Sequence, residues 1–343
     1  MKVKKINLAL QGGGAHGAFT WGVLDALLQD ERIEIAGMSG TSAGALNGAA
    51  VKAGLVADGR EGARRNLDWL WGKVGAVDVP GFSNWMTGMA AGPVAHAIEF
   101  SPLFAWSDLA SRVMSPYAYG PFYSNPLKPI VDAFDFDQVC ADCAPELFIC
   151  ATRVQSGKIR VFEGDEITTD AILASACLPT LFKAIEIEDP KTGKKEPYWD
   201  GGYTGNPALY PLFDPRLPDD IVIININPLE RSELPVTPQQ IQNRINEISF
   251  NSSLLRELRA INFVQRLLHK RVLKTDQMAR VLIHMIADDE LMNDLSVATK
   301  LIPNATVVNR LKTAGQKAAE KFLAAHFDDL NAESTVDLKA MYE

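Results

Sequence analysis

Ile33-Glu34-Ile35-Ala36-Gly37-Met38-Ser39-Gly40-Thr41-Ser42-Ala43-Gly44-Ala45-Leu46-Asn47-Gly48-Ala49-Ala50 decides how this chain is read. Its first third, Ile33 to Met38, is a short, largely apolar run of strand character. From Ala43 onward the residues are small and compatible with a helix. Between them stands Gly40-Thr41-Ser42-Ala43-Gly44, a Gly-x-Ser-x-Gly element. Placed between strand and helix, such an element describes a sharp turn that lifts a serine above the sheet edge. The flanking positions must lack bulk, because strand and helix backbones nearly touch there. The following helix aims its free N–H groups and positive dipole end at the serine oxygen. In a chain with 25 glycines the same five residues also suit an ordinary loop. The strand-turn-helix context favours Ser42 as a nucleophile.

Upstream, Ile6 to Leu10 forms a first strand that breaks at Gln11 and runs into Gly12-Gly13-Gly14-Ala15-His16-Gly17. Helical spacing follows, with Phe19, Val23, Leu24, Leu27 and Leu28 on one face. Strand, glycine loop, helix, strand, serine turn, helix is a βαβα beginning, and it predicts a parallel sheet covered by helices. The glycine loop admits two uses. Gly12, Gly14 and Gly17 spell the dinucleotide fingerprint Gly-x-Gly-x-x-Gly, but the second strand ends in Gly40-Thr41-Ser42 and offers no carboxylate for a ribose. The same run of N–H groups at a helix start can instead hold the oxyanion of a tetrahedral acyl intermediate. Acyl transfer is the better supported use.

Beyond the serine turn, Arg60 to Trp71 reads as a helix. From Val79 to Pro126 the character changes to Gly, Pro and aromatics, among them Phe82, Trp85, Phe100, Phe104 and Trp106, with a short helix expected at 103–114. This stretch reads as an insertion of loops and small helices, whose aromatics either pack on the core or form a cap that lines an acyl-chain pocket beside Ser42. Strands are expected at Leu147–Val154 and Lys158–Phe162, and a helix at Thr168–Ala176. A second hairpin spans Ala184–Glu188 and Tyr198-Trp199, and Ile221–Ile226 reads as a strand buried on both faces. From Gln239 the chain is helical, with a strand at Val281–Ile286 and a last amphipathic helix at Lys312–Leu330. No repeat or clean linker divides it. The expected organisation is a core over 5–230, with a helix-rich extension over 231–343 packed on the same domain.

A serine hydroxyl needs a base. His269, His284 and His326 follow in the order a Ser-His-Asp esterase requires, but each lies in an amphipathic or charged stretch without a turn signal. His16, within the glycine loop, suits orientation better than proton abstraction. The other candidate is Asp200, in Tyr198-Trp199-Asp200-Gly201-Gly202. Its ordinary role would be to cap a turn. Set against the Ser42 hydroxyl in a dry pocket, it could act as base without a histidine once desolvation raised its pKa.

Bulk properties narrow the partners. The 343 residues are 47% apolar and 22% charged, the range of an ordinary globular protein, and the net charge of −8 comes with no basic stripe for nucleic acid. The same charge disfavours docking on an anionic bilayer, so any transient membrane-surface contact falls to apolar surface. The basic start, Met1-Lys2-Val3-Lys4-Lys5, lacks the apolar core and cleavage site of a signal peptide. Cys140, Cys143, Cys150 and Cys177 include one Cys-x-x-Cys pair without a second pair or a histidine cluster, so no metal is expected. Reduced thiols and a cytoplasmic location are the expectation, with no cofactor.

Gln11 to Gly17, Gly40 to Gly44 and Asp200-Gly201-Gly202 together resemble the three signature blocks of the patatin-like phospholipases, and Ala174-Ser175-Ala176-Cys177-Leu178-Pro179 resembles a further one. The resemblance covers roughly residues 5 to 230. His16 stands where the family usually has Arg or Lys, and Gln11 where plant members have Asp. It implies a three-layer α/β/α fold with a mainly parallel central sheet, here with an extra helical C-terminal region. It further implies a Ser–Asp dyad of Ser42 and Asp200, with Gly12, Gly13 and Gly14 at the oxyanion hole. Ala15, His16, Gly17, Gly40, Gly44, Gly201 and Gly202 support them, and the activity implied is hydrolysis of lipid acyl esters. A Ser-His-Asp esterase and a non-catalytic acyl-binding regulator on the same fold are the rival expectations.

Overall fold

The computed structural model describes residues 3–76, 115–143, 145–190, 193–231, 234–273, 278–295, 299–300 and 305–342. Most of the expected cap, and the helix expected at 103–114, lie outside the described residues. Among the described residues eight strands form one sheet: β1 Lys4–Leu10, β2 Ile33–Thr41, β3 Glu146–Arg153, β4 Ile159–Glu163, β5 Ile185–Glu188, β6 Lys195–Asp200, β7 Asp220–Ile224 and β8 Leu282–Ile286. Their order is β5-β6-β3-β2-β1-β7-β8, with β4 also on β3. β3, β2, β1, β7 and β8 are mutually parallel, whereas β4, β5 and β6 run antiparallel to their neighbours.

Side-chain alternation along the central strands divides the core in two. Leu8, Leu10, Val222, Ile224 and Ile149 face one side, where Phe19, Val23 and Leu24 of helix α1 (Gly17–Gln29) and Leu46 of helix α2 (Ala43–Gly75) cover them. Ala9, Ile221, Ile223, Phe148 and Ile283 face the other, against Leu254, Leu258 and Ile261. The sheet therefore has helices on both faces, and burial on two sides explains the continuous apolar run of β7 and the mostly apolar residues of β1.

Short helices α3 (Lys128–Val131) and α4 (Phe136–Val139) precede β3, and α5 (Thr169–Ser175) follows β4. The C-terminal region adds α6 (Pro238–His269), α7 (Asp289–Asp294), α8 (Ala305–His326) and α9 (Leu338–Tyr342). The two helices expected after Ser42 and at 60–71 are arms of the single rod α2, broken at Asp58 and Gly59. α6 starts where Thr237 and Gln240 form a reciprocal capping box around Pro238. Residues 231–343 join the core in two ways. β8 extends the parallel sheet beyond β7, and Val307, Leu311 and Phe322 of α8 enter the same cluster as α1. No helix among the described residues is long and apolar enough to cross a membrane.

Register sets where the loops meet. Leu10 pairs with Gly40 on one side and Ile224 on the other, so the glycine loop, the serine turn and the residues after β7 leave the sheet at one edge. β2 ends with Thr41 opposite Cys150, and the antiparallel β6 ends with Asp200 opposite Ala151. The two strands thus run head-on along β3 and stop at consecutive positions, bringing Asp200 beside the turn that carries Ser42.

Candidate active site

Ser42 sits between β2 and α2 with φ 55° and ψ −119°, a conformation that L-residues rarely adopt. The turn is shaped by its glycines. A Cβ on Gly40 would lie 2.6 Å from the Gly44 carbonyl oxygen, and one on Gly44 would lie 2.1 Å from that of Leu10. The Ser42 N–H donates to Ser175 Oγ at 2.9 Å, and its carbonyl accepts the first helical bonds, from Ala45 and Leu46. The Ser42 side chain makes no capping bond. Its hydroxyl is therefore not spent on the helix.

Asp200 is buried. Its Oδ1 accepts the Gly202 N–H at 2.8 Å, while Oδ2 has no hydrogen-bond partner among the described residues. Burial pushes this carboxyl up to about 7, with the Gly202 N–H and the Ser42 hydroxyl pulling the other way. Ser42 is thus near enough to act on the carboxylate, although no hydrogen bond between the two is closed. Backbone anchors hold Asp200 in place: its N–H donates to the Cys177 carbonyl, and its own carbonyl accepts from Thr152 Oγ1, each at 2.8 Å. On the far side, Phe250 of α6 closes over Gly202 and meets the Tyr203 ring edge-on.

The glycine loop lies directly against Ser42. A Cβ on Gly12 would come within 2.7 Å of Ser42 Cβ. The Gly12 N–H is already committed to Asn206 Oδ1 at 2.7 Å, and the Gly12 carbonyl accepts from Asn227 Nδ2 at 2.7 Å and Asn206 Nδ2 at 3.3 Å. Of the three glycines expected to furnish oxyanion donors, Gly12 therefore holds the loop. The N–H groups of Gly13 and Gly14 meet no acceptor among the described residues. Gln11 anchors the loop's start, its Oε1 accepting the backbone N–H groups of Ile226 and Asn227 and the Asn227 amide.

His16 is fully buried with Nε2 2.8 Å from Thr299 Oγ1, and its pKa is lowered well below the ordinary value by burial and then by Lys300. It shapes the loop as a neutral ring. Ala15 is buried beside it. Gly17 starts α1, where its carbonyl accepts from Asn47 Nδ2 of α2. Gly201 packs so tightly on β3 that a Cβ would lie 2.2 Å from the Cys150 carbonyl oxygen.

The C-terminal histidines do not reach this site. His284 is buried in β8 and bonded to Asp220 at 3.0 Å and Thr335 at 3.2 Å. Asp220 begins β7, so this pair stands at the end of the sheet opposite to Ser42. His326 pairs with Asp329 at the surface, and His269 is exposed at the end of α6. The Ser-His-Asp alternative thus lacks its histidine among them.

Asn206, Asn227, Thr299 and Lys300 carry no motif by which reading the chain could single them out. Ser175 lay within the quoted block Ala174–Pro179, but its bond to the serine turn depends on α5 packing under Ser42.

A model of the patatin-like phospholipase family matches residues 8–213. The crystal structure of VipD from Legionella pneumophila is similar over 95% of this chain and 67% of that one, at 12% identity and a TM-score of 0.42. No curated protein matches the chain at the level of sequence.

Proposed function

The chain belongs to the patatin-like phospholipase family, a family of lipid acyl hydrolases, and from that premise we propose that it cleaves carboxylic esters of lipids with Ser42 as nucleophile and Asp200 as general base. The observation that carries this reading is the free Oδ2 of Asp200, buried beside a serine held at positive φ. A buried carboxylate oxygen without a partner is costly to keep, and groups so perturbed cluster at functional sites. A base with a pKa near 7 is matched to a serine hydroxyl at neutral pH.

In the acylation step Ser42 Oγ attacks the ester carbonyl and its proton passes to Asp200 Oδ2. The carbonyl oxygen, now negative, lies against the N–H groups of Gly13 and Gly14 and the N-terminus of α2. Collapse expels the alcohol, which takes the proton from Asp200. Water, deprotonated in turn by Asp200, then releases the fatty acid and restores Ser42. Gly12, with its N–H bound to Asn206, positions the loop. No cofactor or metal enters these steps.

A fluorophosphonate probe tests the reading directly. The expected adduct, located by mass spectrometry, is on Ser42, and Ser42→Ala should lose both labelling and esterase activity toward a nitrophenyl ester. A folded wild-type protein that neither labels nor hydrolyses would overturn it in favour of a non-catalytic acyl-binding protein.

A further inference from the structure

Resting on the reading of Gly13 and Gly14 as oxyanion donors, we propose that Lys300 is a positioning residue for the oxyanion loop, polarising the Gly13 N–H through Asn227 and the Gly12 carbonyl. The Gly12 carbonyl and the Gly13 N–H belong to one peptide unit and point in opposite directions. Two amide donors, from Asn227 and Asn206, hold the carbonyl on one side, which turns the Gly13 N–H to the other.

The orientation of the Asn227 amide follows from its partners. Nδ2 faces two acceptors, the Gly12 carbonyl at 2.7 Å and Gln11 Oε1 at 3.1 Å, and a flipped amide would set oxygen against oxygen at both. Oδ1 is thereby directed to the opposite side, where Lys300 Nζ stands 3.4 Å away. Ammonium, side-chain amide and backbone peptide form one line ending on the Gly13 N–H. Hydrogen bonds in series strengthen one another, and a charge at one end drives the polarisation in one direction.

Lys300 is fixed relative to the loop by more than this bond. Its carbonyl oxygen lies where a Cβ on Gly14 would come within 2.3 Å, and its neighbour Thr299 holds His16. Glu247 binds the Lys300 ammonium at 2.8 Å. The same carboxylate also takes Arg231 at 2.7 Å and Arg244 at 3.5 Å, so among the described residues three cations share it and it is not spent on Lys300 alone. Burial pushes Glu247 up, but Lys300 and Arg231 outweigh it and hold the carboxyl at about 2. His16 adds no charge, being a neutral buried ring. A purely mechanical brace for Asn227 would need only a neutral donor at position 300, and this separates the two roles.

The test uses the full chain and a long-chain trifluoromethyl ketone carrying carbon-13 at its carbonyl. Ser42 Oγ adds to that carbon, the serine proton goes to Asp200, and the hemiketal oxygen occupies the oxyanion position. Its ionisation is followed by the carbon shift as pH is varied. Lys300→Gln keeps a donor without charge, Lys300→Met removes both, and Lys300→Arg keeps the charge. The Gln and Met variants should raise the hemiketal pKa by about one unit and lower kcat for a short nitrophenyl ester about tenfold, with KM little changed. The Arg variant should stay within about threefold of wild type. A hemiketal pKa in Lys300→Gln equal to that of wild type overturns the proposal, as does unfolding of all three variants, which would make Lys300 structural. Failure of the wild type to form the adduct strikes instead at the Ser42 reading.

Discussion

Asp200→Asn separates a functional carboxylate from a structural one, because the two predict opposite changes in stability. The Asp200 carboxyl stands at about 7 in the folded chain against an ordinary 3.8, so the folded state holds a proton that the unfolded state releases. Where the folded state binds more protons, stability falls as pH rises, here across the window from about 4 to about 7. A shift of about three units corresponds to roughly 4 kcal/mol of penalty once Asp200 is ionised. Asparagine removes that penalty and keeps Oδ1 as acceptor for Gly202, but it places an N–H₂ where Oδ2 now finds no partner. An unsatisfied buried amide costs about 1–3 kcal/mol. The variant should therefore be more stable than wild type by about 1–3 kcal/mol at pH 8 and less stable by a similar amount at pH 4, while losing roughly a hundredfold or more of esterase activity. Glu257, also raised to about 7 by burial, adds to the pH dependence of both proteins, so the difference between them is the quantity to follow. Paired melting curves from pH 4 to 8 measure it. A difference that does not change sign, or that grows in favour of wild type at high pH, would refute a desolvated base at position 200.

Ser42→Gly should abolish probe labelling while leaving the protein as stable or up to about 2 kcal/mol more so, since glycine accepts the positive φ without strain; calorimetry beside labelling checks it. Gly12→Ala should lower esterase activity by about a hundredfold or more, because its Cβ lands on Ser42 Cβ and the Thr41 carbonyl, with a thermal destabilisation of about 1–3 kcal/mol. His284→Ala should cost about 1–3 kcal/mol by removing one of the buried hydrogen bonds to Asp220, which keeps those from Asn331, yet the folded fraction should keep its activity per active site. His326→Ala, at the surface, should change stability by no more than about 0.5 kcal/mol and activity not at all.

The parts of the site that were legible in the chain are those where backbone geometry restricts residue type. Gly40 and Gly44 have to be glycine because each approaches another backbone too closely for a Cβ, and a periodicity of small residues records that constraint locally. β7 was legible because burial on both faces leaves the continuous apolar run Ile221–Ile224, and β1 and β2 because they are mostly apolar and end at glycine-bearing turns. Side chains that hold the loop from a distance leave no such trace. Asn206 and Asn227 are single polar residues in turns, and only the register that sets β7 beside β1 brings Asn227 to Gly12. The committed N–H of Gly12 was likewise invisible, since three adjacent glycines look alike until one of them meets an asparagine.

The same reasoning explains why the region after residue 230 read as an extension although it touches the site. A motif is a local pattern; α6 meets the site because it follows β7, which ends beside the glycine loop, and residues 299–300 meet it because β8 carries the chain back along the sheet. Once there, α6 contributes from one turn Glu247 toward Lys300, Phe250 over Gly202 and Asn251, whose amide donates to the Asn227 and Pro228 carbonyls. These contacts reach Asp200, the proposed base, through Gly202 and the glycine loop through Asn227. Truncation behind β7 would thus remove the far wall of Asp200 and the cation behind Gly13 together. The residues proposed for the chemistry lie between positions 12 and 202, but their surroundings are closed from the C-terminal side by α6 and Lys300.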